Sequence, residues 1–308
     1  MVRESAEVIR NFVTYYRDLG ADEVLLYHDG PSGHLAGLAE PGLALTTCDQ
    51  AFWRARGRPR PHALEAQLSV VYRLGLDRCR SDWLLAVDAD EFVFGDRPVR
   101  EFLGAIPSGF DAVSLPTAEA VWGPGDDIHT PFGSSYFRLA WDDERLWHRL
   151  GGLLYGKAAP LLNRGLAGHC KGKQFLRAGR RYSQIGGHVT RRDGAIITWP
   201  APLISEGFSG MYLGHFDAIG PARWATKWRQ RIEGETFVAG MRPSRLAQMQ
   251  ATAAALGQGE AEAAALFGRL YRLSLPQYAA MAALGYAFRR PGIARAPAAP
   301  FAAAAAPA

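Results

Sequence analysis

At residues 83–91 the chain reads Trp83-Leu84-Leu85-Ala86-Val87-Asp88-Ala89-Asp90-Glu91, so that five apolar residues lead directly into three carboxylates. An uninterrupted apolar run of this kind is typical of a strand that is buried on both faces of a parallel sheet. Open α/β sheets bind their ligands beyond the carboxyl ends of the strands, where these three carboxylates fall. Hard carboxylate oxygens at such a position suit a cation that also holds a phosphate. The stretch therefore indicates a metal-dependent enzyme that acts on a nucleotide-linked substrate.

A D-x-D tripeptide also recurs by chance, and it then does no more than end a strand and begin a solvated turn. Two neighbouring segments favour the functional interpretation. The segment from Pro61 to Arg80 reads as a helix that leads directly into the strand, and the apolar run at 92–95 keeps the carboxylates beside an apolar layer.

Helix-like and strand-like segments alternate along the first part of the chain. This alternation predicts an α/β fold in which a mostly parallel, wound sheet is flanked by helices. The predicted helices lie at 5–19, 63–80 and near 98–105, and the predicted strands at 23–27, 43–48, 83–87, 110–115, 195–199 and 211–213. We interpret 52–61 as an exposed basic loop because arginine and proline dominate it, and the pattern loosens into loops from residue 116.

Beyond residue 220 the pattern predicts helices, over 221–234, 244–256 and 259–272. We therefore expect residues 1–220 to form the catalytic domain and residues 221–295 to form a helical C-terminal extension packed on it. From residue 296 to 308 the chain is nearly all alanine and proline, which predicts a disordered tail.

The composition is that of a soluble globular protein, with 308 residues, 48 % hydrophobic and 21 % charged. No apolar run has the length of a membrane span, and the first residues lack the apolar core of a signal peptide. The three cysteines are widely spaced and odd in number, which is compatible with a reducing compartment. We expect a cytoplasmic protein, with peripheral contact at the inner face of the membrane as an open alternative.

Basic residues are concentrated in two segments. Eight basic residues and no acidic one lie between Arg164 and Arg192, and a second cluster runs from Arg223 to Arg231. Phosphate contacts dominate binding to nucleic acids, so a non-catalytic module that binds nucleic acid or an anionic surface is one interpretation. No helix-turn-helix, zinc-finger or RNP-like pattern accompanies the charge. A nucleotide-sugar diphosphate needs the same charge and fits the carboxylates better, so we expect no nucleic-acid partner.

Three blocks together resemble the bacterial branch of the family 2 glycosyltransferases that is akin to the family 92 enzymes. They are V-R-E-S-A-E-V-I-R-N-F-V-T-Y-Y-R-D-L-G-A-D-E-V-L-L-Y-H-D-G at 2–30, Q-L-S-V-V-Y-R-L-G-L-D-R-C-R-S-D-W-L-L-A-V-D-A-D-E-F at 67–92 and L-G-H-F-D-A-I-G-P-A-R-W-A-T-K-W-R-Q-R at 213–231. The blocks follow the family's order. The resemblance implies a GT-A-like fold, a divalent metal (Mn²⁺ or Mg²⁺) and transfer of a sugar from a nucleotide-sugar donor to a sugar or lipid-linked acceptor in cell-surface polysaccharide or glycolipid synthesis.

The resemblance also implies a metal site. Asp88 would contact the ribose or the water shell of the metal, Asp90 would coordinate the cation directly, and His215 would be the third ligand. A metal held in this way neutralises a leaving diphosphate. We expect Glu91 to form structural hydrogen bonds. His188 is a rival to His215.

The expected donor-binding residues combine the resemblance with local pattern. They are Arg3, Glu4, Asp29, Gln67, Asp88, Lys227 and Arg231. Lys227 and Arg231 lie four positions apart and share a helix face, from which they could hold the diphosphate or form a solvated basic stripe. Asp29 is equally a turn former, and Gln67 could merely line its helix.

The catalytic base is not determined by the sequence. An inverting transferase needs a carboxylate beside the acceptor hydroxyl, and Glu119, Asp126 and Asp127 are unranked candidates in the segment that follows a predicted strand. A retaining transferase would not need the same base.

Two alternatives to the proposed activity and metal site remain, a nucleotidyltransferase and a zinc site. A nucleotidyltransferase also uses carboxylate-held metal on a nucleotide, but it usually carries a Gly-rich basic loop after its first strand. Zinc bound through His169, Cys170 and His188 would lack a precedent for its spacing.

The resembling family has a strand just before the position of Arg3, so we expect an upstream start that encodes about five to ten further residues, a typical strand length.

Overall fold

The computed structural model describes residues 1–30, 33–35, 38, 40–200, 210–234 and 242–294. Its helices are α1 (Ala6–Asp18), α2 (Gln50–Arg54), α3 (Leu64–Arg78), α4 (Val99–Gly104), α5 (Glu144–Tyr155), α6 (Pro221–Ile232), α7 (Pro243–Gln258), α8 (Glu260–Tyr271) and α9 (Leu275–Ala283). Its first strands are β1 (Val24–His28), β2 (Leu43–Thr47), β3 (Trp83–Leu85), β4 (Glu91–Gly95), β5 (Ala112–Ser114), β6 (Thr117–Val121) and β7 (Tyr136–Leu139). The later strands are β8 (Gln174–Arg177), β9 (Gln184–Ile185), β10 (Thr190–Arg192), β11 (Ala195–Ile196), β12 (Thr198–Pro200), β13 (Met211–His215) and β14 (Ala287–Arg289).

These strands form mixed sheets. The largest has the order β14-β7-β6-β13-β4, the next β12-β5-β8-β3, and two smaller ones are β1-β2 and β11-β10-β9. The α/β class is confirmed. The mostly parallel arrangement is wrong for the described strands, because only β1–β2, β12–β5 and β13–β6 pair in parallel. One reason is that β6 and β7 follow each other without a helix, and antiparallel pairing needs no crossover helix.

The strand that leads into the carboxylates differs from the prediction. β3 ends at Leu85, lies at the edge of its sheet and is only half-buried. Residues 86–90 therefore connect β3 to β4, which belongs to the other large sheet. The strand that is buried is β4, whose first four residues are all inaccessible. The D-x-D segment thus bridges two sheets and does not follow a strand buried on both faces.

Helix α1 packs on β4 and fixes its start. The helix begins after Ser5, whose Oγ accepts a hydrogen bond from the amide of Val8 at 3.4 Å. Tyr16 on its buried face donates from its hydroxyl to the Glu91 carbonyl at 2.9 Å and accepts from the amide of Val93 at 3.3 Å. Its ring stacks at 6.4 Å from that of Phe92. The position of Glu91 is therefore set by the main core.

Several helix predictions are confirmed, and three other segments differ. The helices predicted at 5–19, 63–80 and 221–234 are present as α1, α3 and α6. The basic loop at 52–61 is partly wrong, since α2 is capped by Asp49 and buries Phe52 and Trp53. The segment after residue 116 contains the fully buried β6. The C-terminal part is not wholly helical, because β14 extends the largest sheet beside β7.

The division into domains at residue 220 stays a prediction, and the tail at 296–308 lies outside the described residues. Helices α6 to α9 share a second core with the large sheet through Trp122, Trp224, Phe267 and Tyr271. None of the helices in the described ranges is long and apolar enough to cross a membrane.

We predict that Gly172→Ala strongly destabilises the fold. A Cβ at this position would overlap the carbonyl oxygen of Leu115, and backbone cannot move aside cheaply. We expect a loss of about 3 kcal/mol or more in the free energy of unfolding, measured by urea denaturation. Gly152→Ala in α5 is the matched control, because no atom lies within 4 Å of its Cβ position, and it should gain about 0.5–1 kcal/mol. Equal stability of the two variants would contradict the packing described here.

Candidate functional site

Sheet register brings together residues that lie far apart in the sequence. β13 runs antiparallel to β4, with His215 opposite Glu91. On its other side β13 runs parallel to β6, with His215 opposite Glu119. β8 pairs with β3, which places the segment before β8 beside the D-x-D connection. The result is one cluster built from the start of β4, the end of β13 and residues 168–173.

A lysine that was not singled out in the sequence lies at the centre of the carboxylates. Lys173 Nζ lies 2.8 Å from Asp88 Oδ2 and 3.3 Å from Glu91 Oε2. The amide of Asp88 donates to the same Glu91 oxygen at 2.8 Å. Lys173 and Glu91 are buried, whereas the Asp88 side chain keeps 40 % of its surface exposed. Asp88 is therefore the carboxylate of this group that a ligand could reach most directly.

The charges in this group stabilise one another. Burial alone would lower the pKa of Lys173, but Asp88 and Glu91 outweigh it and hold the pKa well above its ordinary value. Burial would raise the pKa of both carboxylates, and the Lys173 ammonium outweighs it and lowers them. All three groups are therefore charged near neutral pH.

Two histidines lie on the other side of Glu91. His169 Nε2 lies 3.4 Å from Glu91 Oε1, and the His169 and His215 rings stack with their centroids 4.7 Å apart. His169 Nδ1 lies 2.5 Å from the carbonyl oxygen of Lys171. Burial, with the His169 charge, lowers the pKa of His215, which keeps this ring neutral. For His169, burial would lower the pKa, but the neighbouring Glu91 carboxylate outweighs this effect and raises the pKa.

These three side chains fit a metal ion. One potential ligand atom from each of Glu91, His169 and His215 lies within 4.8 Å of the others. Glu91 Oε1 and His215 Nδ1 are buried without a hydrogen-bond partner. Buried polar atoms rarely remain unpaired unless a ligand, ion or water satisfies them. Within the described residues, this trio is the one group of His, Cys, Asp and Glu side chains whose potential ligand atoms lie close enough together to share an ion.

Of the three predicted metal ligands, His215 belongs to this trio. Asp88 and Asp90 each lie against an ammonium, and their part in binding a metal stays a prediction. Asp90 Oδ2 lies 3.0 Å from Lys227 Nζ. Glu91, expected only to form structural hydrogen bonds, has one oxygen in that role and the other unpaired.

A second charged network supports Lys227. The lysine also donates to the carbonyl oxygen of Asp217 at 3.0 Å, and the buried Asp217 carboxylate contacts Arg245 at 3.3 Å and Tyr271 at 2.5 Å. Burial would raise the pKa of Asp217, but Arg245 and Lys227 hold it well below its ordinary value. Asp217 is not predicted from the sequence as a site residue, although its position two residues after His215 is a usable signal.

Arg231 lies on the inner side of α6 with Lys227. Burial, together with the charge of Arg245, lowers the pKa of Arg231 to about 10. Its guanidinium lies 5.2 Å from the centre of the Trp228 ring. Lys227 and Arg231 are thus not a solvated stripe, since both charges act on Asp217.

Most of the residues expected near the nucleoside meet beyond β1. Arg60 contacts Asp29 at 2.7 Å and Gln67 at 3.4 Å, and Arg3 contacts Asp29 at 3.3 Å. The organising residue, Arg60, lies in the segment that we interpreted as a basic loop. Glu4 does not join this group, because it pairs with Arg223.

The three candidate bases are Glu119, Asp126 and Asp127. In each of them the carboxylate is already engaged in hydrogen bonds, so none presents a free carboxylate to the cluster. Glu119 is fully buried, bonds Arg138 at 2.8 Å and 2.5 Å, and accepts from the amides of Ala167 and Gly168 at 3.0 Å and 2.5 Å. Asp126 accepts from Gly123 and Ser135, and Asp127 from His129 and Thr130. Glu119 therefore anchors the segment that carries His169, while Asp126 and Asp127 shape a loop.

The zinc set of His169, Cys170 and His188 is not brought together. The Cys170 thiol contacts Asn163 at 2.7 Å, and His188 Nδ1 lies 2.8 Å from the carbonyl oxygen of Gly172. Burial lowers the pKa of His188 to about 4. His188 packs 4.6 Å from the His169 ring and so supports the cluster from behind.

A cleft of about 1650 Å³ lies between α1, α6 and α8, and none of the clustered residues lines it. We assign the candidate site to the cluster and not to the cleft, because the cluster holds the titratable groups with perturbed pKa values.

No model of a known protein family matches the chain, and no curated protein is significantly similar to it. The resemblance to family 2 glycosyltransferases therefore rests on the three sequence blocks alone.

We predict that Glu119→Gln destabilises the protein without a direct effect on chemistry. The change leaves the Arg138 guanidinium, 1 % exposed, without its counter-charge. Breaking such a buried pair costs about 3–5 kcal/mol of unfolding free energy. The matched control is Arg78→Gln, because the Arg78–Glu23 pair is exposed and such pairs contribute about 0.2–1 kcal/mol. Similar losses in both variants would rule out the anchoring role.

Proposed function

We propose that this protein is a metal-dependent glycosyltransferase that takes a nucleotide-sugar donor at the connection between β3 and β4. The acceptor is a sugar or a lipid-linked sugar in cell-surface polysaccharide or glycolipid synthesis. The observation that carries the proposal is the meeting, at one place, of Asp88, Asp90, two lysines and a metal-competent trio. The three sequence blocks give the same interpretation independently of the geometry.

Lys173 and Lys227 are the proposed diphosphate contacts. Each ammonium now neutralises a carboxylate of the D-x-D segment, Lys173 at 2.8 Å and Lys227 at 3.0 Å. Lys227 keeps 30 % of its side chain exposed, so a phosphate oxygen can approach it without unfolding of α6. An ammonium held in place before binding stabilises developing charge on a leaving diphosphate without further reorganisation. The metal, when bound, supplies Lewis-acid stabilisation of the same leaving group.

The group beyond β1 is the proposed nucleoside contact. Asp29 is an acceptor that two arginines orient, Arg3 at 3.3 Å and Arg60 at 2.7 Å. Such a carboxylate suits the hydroxyls of a ribose, while a planar guanidinium suits stacking on a base. Gln67 fixes Arg60 by a contact of 3.4 Å and donates to the carbonyl oxygen of Pro61 at 2.6 Å.

The nucleic-acid alternative loses support because much of the basic stretch is used inside the fold. Arg177 donates to the carbonyl oxygens of Phe110 and Ile106. Arg180 and Arg192 both pair with Asp111. Arginines engaged in this way contribute little to binding of a nucleic-acid backbone on a surface.

The reaction products distinguish a nucleotidyltransferase from the proposed glycosyltransferase. A transferase incubated with its nucleotide sugar and Mn²⁺ releases a nucleoside diphosphate, slowly to water and faster to an acceptor. A nucleotidyltransferase instead forms a nucleoside triphosphate when pyrophosphate is added. Chromatography of both mixtures over a panel of UDP-, GDP- and TDP-sugars names the donor and the class together.

We predict that Lys227→Gln weakens nucleoside diphosphate binding. The variant loses the ammonium that faces Asp90, and a single charge-assisted contact is worth about 1.5–3 kcal/mol, or roughly tenfold or more in affinity. The measurement is the rise in melting temperature with increasing ligand and Mn²⁺, which follows ligand concentration relative to the dissociation constant. Lys157→Gln, at an exposed position outside the cluster, is the control and should match the wild type. An unchanged affinity in Lys227→Gln would remove the lysine from the donor site.

A further inference from the structure

We propose that Glu91, His169 and His215 bind one divalent transition-metal ion, and that Asp88 and Asp90 are not its ligands. The role of the ion in sugar transfer rests on the proposed function, but its binding does not. The expected class is a borderline cation such as Mn²⁺, Co²⁺ or Zn²⁺, in preference to Mg²⁺.

The geometry of the trio matches a metal site. His169 Nε2 and Glu91 Oε1 lie 3.4 Å apart. Two ligand atoms that each lie about 2.1 Å from a tetrahedral ion are about 3.4 Å apart. His215 reaches the same volume, since its ligand atom lies within 4.8 Å of the other two.

The tautomer of His169 favours a cation between its Nε2 atom and the Glu91 carboxylate. Its Nδ1 lies 2.5 Å from the carbonyl oxygen of Lys171, and a carbonyl only accepts, so Nδ1 carries the proton and donates. A neutral ring then presents the Nε2 lone pair to the Glu91 carboxylate. Two facing acceptors need a proton or a metal ion between them. Backbone carbonyls orient metal-binding histidines in this way in known sites.

A proton on His169 alone would leave the buried nitrogen of His215 without a partner. It would satisfy the contact with Glu91 but not His215 Nδ1, which is buried without a hydrogen-bond partner. The His215 ring lies 4.7 Å from that of His169. A single ion shared by all three side chains would give the Glu91 carboxylate and both rings a common partner.

The D-x-D carboxylates are less suited to the ion. Asp88 and Asp90 each bond an ammonium, and neither contributes an atom to the group whose potential ligand atoms lie within 4.8 Å of one another. The trio offers two imidazole nitrogens and one carboxylate oxygen. This ligand set suits transition ions, whereas Mg²⁺ prefers oxygen ligands and retains its water.

The test is titration of the full chain with metal salts alone. Protein freed of metal by a chelator is titrated in a calorimeter with CoCl₂, ZnCl₂, MnCl₂ and MgCl₂, and Co²⁺ binding is also followed by visible absorption. We expect one Co²⁺ or Zn²⁺ per chain and at least tenfold weaker binding of Mg²⁺. His169→Gln and His215→Gln should each weaken Co²⁺ binding by at least tenfold and change its absorption bands.

Control variants and a second ligand keep the outcomes separate. Asp90→Asn and His148→Gln, the latter at an exposed position of α5, should retain the Co²⁺ affinity within about threefold, because neither residue belongs to the trio. Thermal melts establish that each variant is folded. Wild-type affinity in both His169→Gln and His215→Gln, loss of the site in Asp90→Asn, or no bound metal at all would overturn the inference. Titration with UDP, GDP and TDP runs in parallel: Co²⁺ binding without nucleotide binding contradicts the proposed function alone, and the reverse contradicts the metal site alone.

Discussion

Antiparallel pairing of β4 with β13 is the constraint on which the candidate site depends. It fixes His215 opposite Glu91, while the parallel partner of β13 on its other side puts Glu119 opposite the same histidine. A shift of register by one residue would turn each of these side chains to the other face of the sheet. Tyr16 of α1 bonds the backbone of both Glu91 and Val93, which resists such a shift. The grouping of Glu91 with His215 is thus a consequence of strand register more than of any local motif.

Buried charge is organised in pairs around this register. Glu91 faces Lys173, Glu119 faces Arg138, and Asp217 faces Arg245. Each carboxylate would be costly to bury alone, and each is matched by a cation from a distant segment. One oxygen of Glu91 and Nδ1 of His215 are buried without a hydrogen-bond partner. Both residues belong to the group whose potential ligand atoms lie close together, and this coincidence supports the proposed metal site.

The sequence predicted the parts that depend on local pattern. Apolar periodicity located α1, α3 and α6, and the resemblance selected His215, which belongs to the metal-competent trio. It also selected Arg3, Asp29 and Gln67, which meet through Arg60. Lys173 was visible only as a member of a basic stretch and His169 only as part of the zinc alternative, because their positions beside Glu91 arise from the pairing of β8 with β3. Strand direction was likewise not readable from the alternation of elements, and so the sheet was expected to be mostly parallel.

The central claim is that the trio and the two lysines form one site for a metal ion and a diphosphate. The most direct measurement is an anomalous difference map from crystals grown with Mn²⁺ and the nucleoside diphosphate that binds best. The account predicts one anomalous peak between Glu91, His169 and His215, with diphosphate oxygens next to Lys173 and Lys227. A peak held by Asp88 and Asp90 with the histidines uninvolved, or a diphosphate bound away from both lysines, would contradict it.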